Sequence, residues 1–577
     1  MKQFAALLVL LLCVTAGCQV GSESCSSDAG GLSREEIAAS VLSSMDLSAD
    51  PCEDFYRYAC GEWLDATERP ADQATWSRSF SVVIERNREV VREILEEAGA
   101  DPGDDPDRQR IGHYYAACMD EAAIEEAGWK PLEPIFERIA TVEDAESLLA
   151  VTAALHRRGV GAAFSIEVVP DFANPDMEIA FWFQGGLGMP DRDYYVSDDP
   201  TKQALLVEYE QHVARMFGLL GESEEVAAAH AADVLAFETE LAKASRDRAA
   251  LRQMERLYNK VDIGGLKELT PHLPWDTYLQ AVGYPDIKEI SVAVPEFFEA
   301  LEDLVLKTEP EVLQTYLRWH TVDGTANLLS KAFVDANFDF FGKKVAGQEE
   351  IKPRWKRCVT ATQGALGEAV GKLYVDRMFA GSSKDIALEM IGDIKTSFEA
   401  SLPGLPWMDE TTRGRAVEKL HAMGFKIGYP DKWRDYSSMQ VTPGDHFGNS
   451  MAGIAFEFDR QVSKIGNPVD REEWQMTPQT VNAYNNPLLN EMAYPAGILQ
   501  PPFFHRDFPA AMNYGAIGGA IGHELTHGFD DQGRKFDPKG RMQEWWEPEV
   551  AEKFTTQAQC VDDFWSNYEV EPGAPVN

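Results

Sequence analysis

At 577 residues and 64.2 kDa, with 44% hydrophobic and 26% charged residues, the chain is too long for one compact core and too apolar for wholesale disorder. Length alone suggests roughly 3–4 domain-sized units. Its 53 Lys and Arg against 95 Asp and Glu leave a net charge of −42, a surface that repels phosphate backbones and anionic lipid and so excludes nucleic acid as a partner.

The N-terminus sets the compartment. Lys2 precedes an apolar run over residues 4–14, short of the roughly 20 residues of a bilayer-spanning helix but suited to the core of a signal peptide. The run closes on Thr15-Ala16-Gly17-Cys18, which resembles a bacterial lipoprotein cleavage site. The reading is a leader over 1–17, acylation at Cys18 and a flexible tether, rich in Ser and Gly over 19–33 and drawn at 18–45. The expected location is extracytoplasmic, in a bacterial cell envelope, with the N-terminal lipid as the only membrane attachment; secretion without acylation is the alternative. In an oxidising compartment Cys25, Cys52, Cys60, Cys118, Cys358 and Cys560 read as long-range staples or buried thiols, and spacing does not settle their pairing.

Helical period dominates the chain beyond the tether. Val83, Val90, Val91, Ile94 and Leu95 share one face, as do Val234, Phe237 and Leu241. Residues 164–169 and 178–183 read as two strands around a turn cluster at 170–176, and 185–191 is loop. The whole is mainly α with small sheets.

The stretch Ile521-Gly522-His523-Glu524-Leu525-Thr526-His527 contains H-E-x-x-H. Two histidines at i and i+4 project from one helix face and can share a metal; neutral imidazoles suit zinc. Glu524 sits about 100° around the helix from His523, where it can act as general base. Gly515, Gly518, Gly519 and Gly522 allow close approach by neighbours or substrate, and Gly528 offers a helix stop. A chance match is the competing reading, and with 11 His in the chain it is about a one-in-a-hundred event. A third His six residues after the second is lacking, since that position is Gly533. Glu544, Glu547, Glu549 and Glu552 surround Trp545-Trp546 and read as a helix entry with a solvated face, not as ligands.

The segments Asn482-Ala483-Tyr484-Asn485-Asn486-Pro487, Pro495-Ala496-Gly497-Ile498-Leu499-Gln500-Pro501-Pro502-Phe503-Phe504, Asn513-Tyr514-Gly515 and 523–531 together resemble the neprilysin family of zinc metallopeptidases. That family includes the endothelin-converting enzymes and bacterial oligopeptidases. Cys52-Glu53-Asp54-Phe55-Tyr56, Gly186-Leu187-Gly188-Met189-Pro190, Pro353-Arg354-Trp355-Lys356-Arg357-Cys358 and Ile427-Gly428-Tyr429-Pro430-Asp431 fit it as well.

The resemblance implies two helical lobes enclosing a central cavity, small β-sheets and a zincin-type catalytic lobe built on the HExxH helix. It divides the chain into an N-terminal segment over 46–75 that packs with the catalytic lobe, a helical cap over 76–400 and an incomplete catalytic domain over 401–577. It implies a monomeric endopeptidase for short peptides, with one Zn2+ held by His523 and His527 and Glu524 as the catalytic residue. Asn482 and Ala483 would hold the substrate backbone as an added strand. Ile498 and Phe503 would line the pocket for the side chain after the scissile bond, and Gly519 and Ala520, where some relatives are bulkier, imply a roomier pocket. Asn485 departs from the family's usual aromatic. Cys118 is expected to pair with Cys358, while Cys52, Cys60 and Cys560 would pair beyond Asn577; a Cys52–Cys60 bond is the alternative.

In the family, the segment after this point supplies a glutamate as third zinc ligand, an aspartate that orients a ligand histidine, and a His and an Arg at the oxyanion. The third ligand is therefore expected beyond Asn577 and the activity of the 577-residue chain is expected to be impaired, each absent oxyanion donor costing on the order of 10²–10³ in rate. The alternative is a non-catalytic peptide-binding lipoprotein.

Overall fold

The structure, a computed structural model, describes residues 33–571 apart from 285 and 380, together with 574–575. The leader, Cys18 and Cys25 lie outside these residues. Ser33 opens the first helix of the described residues, Arg34–Leu42, through a capping box: the Glu36 N–H donates to Ser33 Oγ at 3.2 Å, and the Ser33 N–H donates to Glu36 Oε2 at 2.8 Å. This corrects the tether drawn to residue 45. The S-x-x-E spacing is a helix-start signal that outweighs the flexible composition before it.

Two large apolar cores organise the described residues, beside a small cluster of Trp474, Tyr484 and Ala493. One gathers elements between Leu132 and Phe340, joined by Val462 and Ile465. The other joins 83–118 to 358–550 and contains Ile517, Ile521 and Leu525 of the HExxH helix. The expected cap of 76–400 is therefore too wide. The helices Phe80–Ala100, Pro106–Met119 and Arg354–Met378 all turn their apolar faces into the catalytic core. Their periodicity marks a buried stripe without saying which core receives it. The cap is instead one long excursion between Cys118 and Cys358.

Those two cysteines form a disulfide across a sequence separation of 240 residues, at the neck of the excursion. Arg354 braces the same neck by donating from Nε and Nη2 to the Cys118 carbonyl at 2.8 and 2.6 Å. Cys52, Cys60 and Cys560 are free thiols, so the Cys52–Cys60 bond is not formed. Replacing Cys118 and Cys358 by serine should lower stability by about 2–4 kcal/mol, chiefly by freeing the unfolded chain. Calorimetry checks this, and an unchanged thermal midpoint would contradict it.

The cap sheet has the order β1 (Phe164–Pro170), β2 (Glu178–Gln184), β4 (Glu289–Val292), β3 (Lys260–Asp262). β1 and β2 form the expected antiparallel pair, with Ile166 opposite Trp182, and β2 runs parallel to β4. The catalytic lobe holds a second sheet, β5 (Gly424–Gly428), β7 (Glu491–Pro495), β6 (Tyr484–Asn486), with β6 antiparallel to β7. β6 is an edge strand, leaving one row of backbone groups unpaired by the sheet.

The lobes meet at several points. The Met542 N–H donates to the Phe172 carbonyl at 2.7 Å, and Lys535 pairs with Glu255 at 2.9 Å. A cavity of about 880 Å³ lies at the junction, lined by Arg157 and Glu178 from the cap and by Arg434, Arg460 and Trp474 from the other side; the HExxH residues do not line it.

Candidate active site

The helix Ile517–His527 is held by Ile517, Ile521 and Leu525, which recur every fourth residue and bury one stripe in the catalytic core. The opposite face is open. A side chain added at Gly519 or Gly522 would meet nothing within 4 Å, so these glycines keep space clear rather than fit a neighbour. Gly519 stands one turn before His523 on the same face.

His523 and His527 come together on that face. Their Nε2 atoms are 3.0 Å apart and their rings nearly perpendicular, at 81°. Two nitrogens each about 2.0–2.1 Å from a tetrahedral zinc stand about 3.3 Å apart, so the donor pair fits zinc. The His527 tautomer is fixed from behind: its Nδ1–H donates to Asp530 Oδ2 at 2.8 Å, which leaves Nε2 as the lone-pair nitrogen. Among the described residues no group of three or more His, Cys, Asp or Glu is placed to hold a metal.

Glu524 is buried beside the pair, and burial raises its carboxyl above the usual range while the nearby His527 and His523 oppose the shift. Glu544, Glu547 and Glu549 pair instead with Arg534, Arg415 and Lys553. Gly533 has a steric reason for its identity: a Cβ there would lie 1.7 Å from the His527 carbonyl oxygen.

Asn482 is exposed and Ala483 buried, immediately before the edge strand β6. Ile498 is 1% exposed within the catalytic core, and Phe503 is half-buried against Phe80 with ring centroids 5.0 Å apart. Asn485 fills the place of the family's aromatic with a polar contact: its Nδ2 donates to the backbone carbonyl of Glu524 at 2.8 Å and ties β6 to the HExxH helix. Asn485→Ala should therefore weaken this tie and lower kcat/KM by about tenfold, for one lost hydrogen bond. An unaltered kcat/KM would remove Asn485 from the site.

Sequence reasoning missed Asp530. A usable signal was present, since an acid three residues after a ligand histidine at a helix end can reach back to it.

The sequence matches peptidase family M13 over residues 51–430 and again over 482–577. It is similar to endothelin-converting enzyme 1 of Homo sapiens, 36% identical over 561 residues that cover 94% of this chain and 72% of that protein. Neprilysin-3 of Drosophila melanogaster is 32% identical, covering 92% and 71%. Among solved structures, the zinc metalloprotease Zmp1 of Mycobacterium tuberculosis in complex with inhibitor superimposes with a TM-score of 0.88 at 36% identity, covering 93% of this chain and 82% of that one. The same protein in its open state gives 0.75, covering 91% and 82%.

Proposed function

Because the chain belongs to peptidase family M13 and is a zinc metalloendopeptidase, we propose that it hydrolyses short peptides outside the cytoplasm, in the cell envelope to which an acylated Cys18 tethers it. The observation that carries this reading is the convergent Nε2 pair of His523 and His527 beside the buried Glu524. Zinc, when bound, supplies Lewis acidity to a water and to the scissile carbonyl near neutral pH. His523 and His527 would hold it through Nε2, and Asp530 keeps the proton on His527 Nδ1. Glu524 takes a proton from the attacking water and passes it to the leaving amine. The edge of β6, entered through Asn482 and Ala483, grips the peptide by main-chain hydrogen bonds, which gives affinity with little demand on sequence. Ile498 and Phe503 shape the apolar wall for the residue after the cut, Phe503 from its exposed part and Ile498 from behind.

Two further observations support the setting. The Cys118–Cys358 bond suits an oxidising compartment. The lobes agree more closely with the inhibitor-bound form of the mycobacterial relative than with its open state, which favours a chamber that closes on short flexible chains. Among the described residues, the two metal donors brought together are His523 and His527.

Incubation with unstructured peptides and with a folded protein tests the proposal. Peptides should be cut, the folded protein spared, and cutting should stop with a chelator and return with zinc. Peptides bound but left intact would overturn the proposal. The open space at Gly519 gives a specificity test: Gly519→Leu should lower kcat/KM about tenfold for peptides with a large residue after the cut and leave small ones little changed. A uniform effect would place Gly519 outside the pocket.

A further inference from the structure

Lys419, on the helix Glu410–Ala422, is 0% exposed, an unusual position for a lysine. Its Nζ donates to the backbone carbonyls of Gly533 and Phe536, both at 2.7 Å, and lies 5.6 Å from the Phe529 ring and 5.7 Å from that of Trp545. Its hydrogen-bond partners are carbonyls, so the amine holds backbone in place. That backbone is the turn that carries Asp530. The N–H groups of Gln532 and Gly533 donate to Asp530 Oδ1 at 2.9 and 2.7 Å, while Oδ2 accepts the His527 proton. The turn has no slack, since Gly533 packs directly on the His527 carbonyl. Burial pulls the amine's pKa down to about 7, and the carboxylates of Asp537 and Asp530 oppose that shift without cancelling it.

We infer that Lys419 is a positioning residue for the zinc ligand His527, acting through the Gly533–Phe536 turn and Asp530. The inference rests on His523 and His527 being the zinc pair. A buried amine donating to two carbonyls fixes the turn, the turn fixes the Asp530 carboxylate, and the carboxylate fixes the orientation and basicity of the imidazole. Only the last of these links would touch the ligand itself.

The test is zinc affinity, read by competition with a chelator, on the full chain and on Lys419→Met, Asp530→Asn and the double variant, with thermal midpoints measured alongside. Asp530→Asn should weaken zinc binding by about 10–100-fold and Lys419→Met by about tenfold. The double variant should bind zinc no more weakly than Asp530→Asn alone, while the losses in thermal midpoint add, because a lysine that merely stabilised the fold would show no such convergence. Unchanged affinity in Lys419→Met, or affinity losses that multiply in the double variant, would overturn the inference. If Lys419→Met does not fold, Lys419→Arg carries the test: a smaller loss of affinity that vanishes in the Asp530→Asn background supports it, and parental affinity overturns it. An unsubstituted chain that binds no zinc refutes the zinc pair itself, a result distinct from either.

Discussion

Glu524→Gln should lower peptide hydrolysis by about 10²–10⁴-fold while leaving zinc affinity near that of the parent chain, because the amide keeps the shape of the side chain but cannot take up a proton. The structure gives reasons to expect both halves. Glu524 is 8% exposed and lies beside the imidazoles, whereas the Nε2 atoms that converge at 3.0 Å belong to His523 and His527. Its backbone carbonyl, held by Asn485, is untouched by the substitution. The fall should appear in kcat with little change in KM, since the base acts in the transition state rather than in substrate binding. Retained hydrolysis would assign the base to another group, and a parallel loss of zinc would make Glu524 a ligand.

His527→Ala should be more severe for the metal. It removes a donor and strands Asp530, whose Oδ2 then has no imidazole proton to accept. Loss of an outer partner such as Asp530 costs about 10–100-fold in metal affinity, so loss of the ligand itself should exceed about 10²-fold, with hydrolysis falling in proportion. The ordering of His527→Ala, Asp530→Asn and the parent chain is what the geometry fixes. Chelator competition reads it directly, and parental affinity in Asp530→Asn would separate Asp530 from the metal site.

The chemistry was the most legible part of the sequence, because a metal pair on one helix needs only i and i+4 spacing and both residues are local. The same locality made the β1–β2 pair and the helix Phe80–Ala100 readable from their periods. What escaped depends on residues far apart in the chain. Val83, Val90 and Ile94 announce a buried stripe, yet nothing in them says that it joins the core that holds Val359 and Ile521 rather than that of the cap. The cap boundary was misplaced for that reason. The first helix escaped differently: its start at Ser33 was written in the capping box, but the preceding Ser- and Gly-rich composition was extended over it. Asn485 was noticed as a departure, and only the fold reveals its compensation, a hydrogen bond to a residue 39 positions away. Lys419 carries no local sign, since a lysine in a short amphipathic helix ordinarily faces water and its two carbonyl partners lie 114 and 117 residues on.

X-ray absorption at the zinc edge, on the 577-residue chain with one equivalent of zinc and again on His523→Ala/His527→Ala, bears most directly on the central claim. The account predicts imidazole scattering from two nitrogens at about 2.0–2.1 Å in the first and its disappearance in the second. A first shell of oxygen alone in the unsubstituted chain, or an unaltered imidazole signal in the double variant, would contradict it.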